Sequence, residues 1–141
     1  MFLLIAALAG LTMAVQGTIN SVLGKRIGIW QTNFLVHTTA ALILAIMVII
    51  KHSHIDFNLY KKVPWYLFVG GILAVAITYG VIVSIPRLGV AVATTAIITG
   101  QVLTAAAIDH LGVMGLEKVP FTWIRMVGIL LLSLGVRLLL T

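Results

Sequence analysis

Apolar residues come in long runs along this chain, and polar residues gather in short breaks between them. The runs predict five helices, at about residues 2–23, 30–50, 64–84, 90–108 and 120–140. Each is near the roughly 20 residues that carry a helix across a bilayer. The first run ends at Gly24-Lys25-Arg26. A polar connection, Lys51 to Lys62, follows the second and holds His52, His54, Asp56 and Asn58. Pro64 opens the third, where a missing N–H costs no hydrogen bond, and Ile85-Pro86-Arg87-Leu88-Gly89 stops it. Asp109 to Lys118, with Gly112 and Gly115, is a short loop, and the last helix begins near Pro120. The expectation is an all-α integral membrane protein, with residues 1–141 as a single transmembrane domain. The first run has no basic leader and is longer than a signal-peptide core, so it reads as a retained helix.

Composition agrees with this class. Hydrophobic residues make up 62% and charged residues 9%, and the mean hydropathy is +1.22. A soluble domain carries roughly 25% charged residues, so the solvent for so much apolar surface is the bilayer. The net charge is +6. The basic residues sit at helix ends and form no clustered face, so they read as interfacial anchors and not as a nucleic-acid surface. Cysteine is absent, which excludes disulfides and thiol chemistry.

The placement of those anchors changes the picture. With five alternating spans, Lys51, Lys61, Lys62, Lys118 and Arg125 fall on one side of the membrane. Lys25, Arg26, Arg87 and Arg137 fall on the other. Orientation normally follows an excess of Lys and Arg on the cytoplasmic side, and so even a split gives almost no instruction. Such a chain can insert both ways up, and two opposed copies can build an inverted-symmetric machine, the architecture of many secondary transporters. Lys62-Val63-Pro64-Trp65 and Lys118-Val119-Pro120-Phe121-Thr122-Trp123 mark one interface twice. No internal repeat is evident, so a second copy or partner must supply the other half.

Polar groups in hydrocarbon are costly unless paired. In the first helix Thr12, Gln16 and Asn20 form one stripe, beside Gly10, Gly17 and Gly24, which recur every seven residues and permit close packing. The second helix carries Asn33 and His37. The fourth carries Thr94, Thr95, Thr99, Gln101 and Thr104, with Asp109 and His110 at its end. Threonines of membrane helices usually bond their own preceding turn, and Gln101 has no such easy partner. Gln16, Asn20 and Gln101 are read either as interhelical glue or as the lining of a cavity. His37, the one ionisable side chain well inside a span, is either a neutral hydrogen-bonding residue or a proton-linked switch. Asp109 reads first as an interfacial capping residue, and is the other candidate for a proton-linked role.

No enzyme constellation is visible. The three acids, Asp56, Asp109 and Glu117, form no close pair within a span. His52 and His54 make only a weak metal pair, and no phosphate-cradling glycine motif occurs. No cofactor and no metal are expected.

Four stretches carry a family resemblance over nearly the whole chain. They are Ala14-Val15-Gln16-Gly17-Thr18-Ile19-Asn20-Ser21-Val22-Leu23-Gly24, Pro86-Arg87-Leu88-Gly89-Val90-Ala91, Gly100-Gln101 followed by Asp109-His110-Leu111-Gly112, and the Gly128 to Gly135 spacing. In order and spacing the chain resembles the YdcZ-like family of short bacterial inner-membrane proteins, a branch of the drug/metabolite transporter superfamily. The resemblance implies a five-helix half-transporter paired with an inverted second half, the two together making ten helices. It also implies that Gln16, Asn20 and Gln101 face the central region. His37 departs from the pattern, standing where a small residue is expected.

The leading expectation is an antiparallel homodimer, or a dimer with a similar chain, that moves a small metabolite or toxic compound across the inner membrane by alternating access. Gln16, Asn20, His37 and Gln101 would line the path. Gly10, Gly17, Gly128 and Gly135 would allow helices to pack or slide. The rival readings are a passive channel, which needs a continuous polar lining, and an accessory membrane subunit in which the polar stripes are glue alone. Lipid is a partner in all three, and nucleic acid in none.

Overall fold

The computed structural model describes residues 1–51, 57–113 and 116–139. Among them every regular element is a helix. The elements are α1 (Phe2–Ile27), α2 (Ile29–Ile50), the short α3 (Phe57–Lys62), a 3-10 turn (Trp65–Val69), α4 (Gly70–Leu88), α5 (Val90–Leu111) and α6 (Trp123–Leu139). Residues 52–56 and Gly115 lie outside the described residues, and with them the polar connection's two histidines and Asp56.

Four stretches are long and apolar enough to cross a membrane: Phe2–Ile27, Ile29–Ile50, Trp65–Leu88 and Val90–Leu111. The described part of α6 has 17 residues, about 26 Å of helix at 1.5 Å per residue. Two compact units make up the chain, Met1–Pro86 and Arg87–Thr141.

The helix ends differ from the sequence expectation for local reasons. The first helix runs through Gly24-Lys25-Arg26 to Ile27, because cations in a last turn sit well against the helix dipole. Gly28 then makes the whole reversal. Its φ of 100° is open to glycine at little cost. Its N–H donates to the Gly24 carbonyl at 3.0 Å, and its own carbonyl accepts from Thr32 N–H at 3.1 Å. Gly89 (φ 83°) does the same work between α4 and α5, accepting from Ala93 N–H at 3.1 Å.

The expected stop at Ile85–Gly89 is corrected accordingly. α4 carries Pro86 within its last turn and ends at Leu88, where one missing amide removes only one bond. α5 continues past Ile108 to Leu111, with Gly112 in the left-handed conformation as its cap.

α6 starts three residues after Pro120. Val119 N–H donates to the Asp109 carbonyl at 2.8 Å, and Phe121 N–H donates to His110 Nδ1 at 3.2 Å. These bonds hold the approach to the helix against the end of α5. Thr122 is the N-cap, its Oγ1 accepting from Arg125 N–H at 3.4 Å.

The first unit is built inside out relative to a soluble protein. The buried face of α1 is Gly17, Asn20, Ser21 and Gly24, spaced three, four and seven apart. α2 buries Thr32 and Asn33, and α4 buries Ile82 and Ile85. Most leucines and isoleucines on these helices are exposed instead, as expected where lipid is the solvent and small or polar residues mediate helix contact. A Cβ built on Gly17 would lie 2.9 Å from Val81 Cγ1, and one on Gly24 would lie 2.5 Å from Ile82 Cγ2. α1 and α4 therefore touch backbone to side chain along this seam. Gly10, Gly128 and Gly135 have nothing within 4 Å of such a Cβ.

Candidate functional site

Trp30, Asn33, Phe34, His37, Thr38 and Ala41 follow the helical repeat and form one stripe of α2. With Val75 of α4 they line an open cleft of about 440 Å³. Trp30 stands at the start of α2 and Ala41 eleven residues on, so the cleft runs about 16 Å along the helix. That reaches roughly halfway through a hydrocarbon core of about 30 Å.

Three side-chain contacts join the two helices beside this cleft. Asn33 Nδ2 donates to the Val75 carbonyl at 3.0 Å. His37 Nε2 and Thr78 Oγ1 share a hydrogen bond at 3.4 Å, its direction set by the imidazole tautomer. The Trp30 and Tyr79 rings lie 5.3 Å apart at a 31° tilt. Val75, Thr78 and Tyr79 are themselves three and four apart, so they share a face of α4. Asn33 is 3% exposed and Thr32 is fully buried. Neither Asn33 Oδ1 nor Thr32 Oγ1 has a hydrogen-bond partner among the described residues. An unpaired buried acceptor costs about 1–3 kcal/mol.

The expected path residues are placed unevenly. His37 is half-buried and lines the cleft. Asn20 is buried on the packing face of α1, and Gln16, one turn earlier, is exposed. Neither lines the cleft. Gln101 is exposed on α5, in the second unit. Most hydroxyls on these helices are spent locally. Thr12, Thr18, Thr95, Thr99 and Thr104 each donate to the carbonyl four residues back, as do Ser84 and Ser133. Thr12 therefore drops out of the polar stripe drawn through Gln16 and Asn20.

Thr78, Tyr79 and the Val75 carbonyl enter the site from α4. Thr78 and Tyr79 carried a usable signal, being polar-tipped residues one position apart in an apolar run. A backbone carbonyl carries none.

In the second unit, Val102, Ala105, Asp109, Arg125, Gly128 and Ile129 are among the residues lining a smaller cleft of about 340 Å³ between α5 and α6. Asp109 Oδ2 accepts from Arg125 at 3.4 Å, with both side chains about half exposed (45% and 41%). Exposed pairs of this kind contribute about 0–1 kcal/mol. Asp109→Asn is therefore expected to lower stability by less than about 1 kcal/mol, read as a thermal midpoint close to that of the parent protein. A collapse of the fold would show that the pair holds α5 to α6.

The fold and the apolar spans together define a multi-pass helical membrane protein. The chain belongs to the family described as "Putative inner membrane exporter, YdcZ", whose pattern matches residues 1–138. It is thus a multi-pass inner-membrane protein of an exporter family. No curated protein and no solved structure matches it.

Proposed function

We propose that this chain is a small secondary transporter working as an antiparallel, dual-topology dimer. It moves a small metabolite or toxic compound across the inner membrane by alternating access. On this reading α6 is the fifth crossing, and each chain is half of a ten-helix, inverted-repeat assembly. The observation that carries the proposal is the cleft of α2 and α4. Asn33 and His37 set hydrogen-bonding groups along it, with Thr78 bonded to His37 beside it, inside segments otherwise apolar enough to span the bilayer. Intramembrane polar groups of this kind mark solute pathways.

Further support comes from the surface. Among the described residues only Ile82, Ile85, Ala93 and Ile129 are buried apolar side chains, so the chain makes little core of its own. Gly10, Gly128 and Gly135 are open to the approach of a second copy. Gln16, Asn20, His37 and Gln101 line the path in the assembled dimer, with Gln16 and Gln101 contributing from faces exposed in the single chain. His37 and Asp109 are the groups available for proton coupling. The nearly even basic split provides the dual insertion.

Topology tests the proposal. The chain has no cysteine, so Ser53→Cys introduces a single thiol between the second and third spans. Intact cells are treated with a membrane-impermeant thiol reagent, and again after permeabilisation. About half of the chains are expected to react from outside, the outcome of insertion without a charge bias. Reaction of all chains from one side would remove the antiparallel homodimer.

A further inference from the structure

We infer that Asn33 is a ligand-binding residue, and that the ligand of the α2–α4 cleft is an uncharged, flat apolar compound carrying an N–H or O–H donor. This rests on reading the cleft as a solute site. The amide orientation follows from chemistry. The Val75 carbonyl only accepts, so the atom 3.0 Å from it is Nδ2. The planar amide then turns Oδ1 away from that carbonyl. Oδ1 is buried and has no donor among the described residues, on a side chain that is 3% exposed and lines the cleft. Oδ1 is thus an unpaired acceptor on a residue of the cleft wall, and a ligand that brings a donor to it satisfies it.

The rest of the lining narrows the ligand. Trp30 and Phe34 offer ring surface, with Tyr79 packed against Trp30. Among the described residues no Asp or Glu lines this cleft, so a cationic ligand would find no counter-charge there, and a buried unpaired charge is expensive. The volume of about 440 Å³ falls within the range of small-molecule sites.

Matched probes separate this from a purely structural asparagine. In a Trp65→Phe, Trp123→Phe background, Trp30 is the sole tryptophan and reports from the cleft wall. Its quenching is titrated in nanodiscs with 4-nitroaniline, its N-methyl derivative and its N,N-dimethyl derivative, each corrected for partition into empty nanodiscs. The first two retain an N–H, and the third has none. Loss of the last N–H is expected to weaken binding about tenfold or more, the scale of an unmet buried acceptor. Asn33→Leu is expected to bring the three probes to equal affinity.

Equal corrected affinities in the parent protein, a preference that survives Asn33→Leu, or no saturable quenching of Trp30 overturns the inference. The probe series in the parent protein is decisive by itself if the variant does not fold. Topology is independent of this result. A single orientation in the thiol-labelling experiment removes the antiparallel homodimer and leaves an N–H preference standing, whereas absence of that preference removes the ligand class alone.

Discussion

Gly24→Leu is expected to yield no monodisperse protein, and Gly24→Ala to lower the thermal midpoint clearly. The reason is the seam between α1 and α4. A Cβ at position 24 would sit 2.5 Å from Ile82 Cγ2, well inside van der Waals contact. Ile82 cannot swing aside. It is β-branched, so its χ1 is held to essentially one rotamer in a helix, and it is only 2% exposed. The helices must therefore separate, and the face that carries Asn20 and Ser21 would open with them. Overpacking costs about 1–3 kcal/mol. The opposing gain in helix propensity from glycine to alanine is about 1 kcal/mol. The clash thus outweighs the propensity gain for alanine, and does so by a wider margin for leucine. Gly10→Ala is the matched control, since nothing lies within 4 Å of its Cβ, and its midpoint should hold or rise slightly. Fluorescence-detected size exclusion after heating reads all three variants. Equal midpoints for Gly24→Ala and Gly10→Ala would show that the seam does not hold the unit together.

The helical class and four of the expected spans were legible because hydrophobic runs of bilayer length rarely occur outside transmembrane helices. The ends were less so. Gly28 looks ordinary in the sequence, and its role as a one-residue reversal depends on a positive φ that composition does not announce. Pro86 reads as a stop, yet one lost amide in a last turn is tolerated. Pro120 reads as a start, but the bonds from Val119 and Phe121 to the end of α5 hold that stretch out of the helix.

The site was legible in part. The Asn33–His37 spacing places both on one stripe of α2, as found. Gln16 and Asn20 share a stripe by spacing, yet one is exposed and the other buried, because the rotation of α1 is set by Gly17 and Gly24 against α4. The acceptor for Asn33 is a backbone carbonyl forty-two residues away, and no residue type marks it.

On the proposed dimer reading, Gln101→Leu is expected to abolish transport while leaving membrane insertion and dimer formation intact. Gln101 is the twelfth of the 22 residues of α5, so it lies close to the middle of a span. Its neighbours Thr95, Thr99 and Thr104 spend their hydroxyl protons on their own preceding turns, leaving them no donor for a solute. A glutamine amide has both a donor and an acceptor to place, and this one is exposed on its own chain. In hydrocarbon that arrangement is unfavourable. Either a second copy satisfies the amide as glue or the solute path does, and leucine separates the two. It removes both polar functions at similar size and suits lipid better than glutamine does. If the amide is glue, dimerisation weakens and transport falls with it. If it lines the path, crosslinking and size exclusion remain those of the dimer, and uptake into proteoliposomes drops by a factor of about ten or more, as expected for a lost buried hydrogen bond to a solute. Transport at the parental rate would remove Gln101 from the path and leave the α2–α4 cleft as the solute site of each chain.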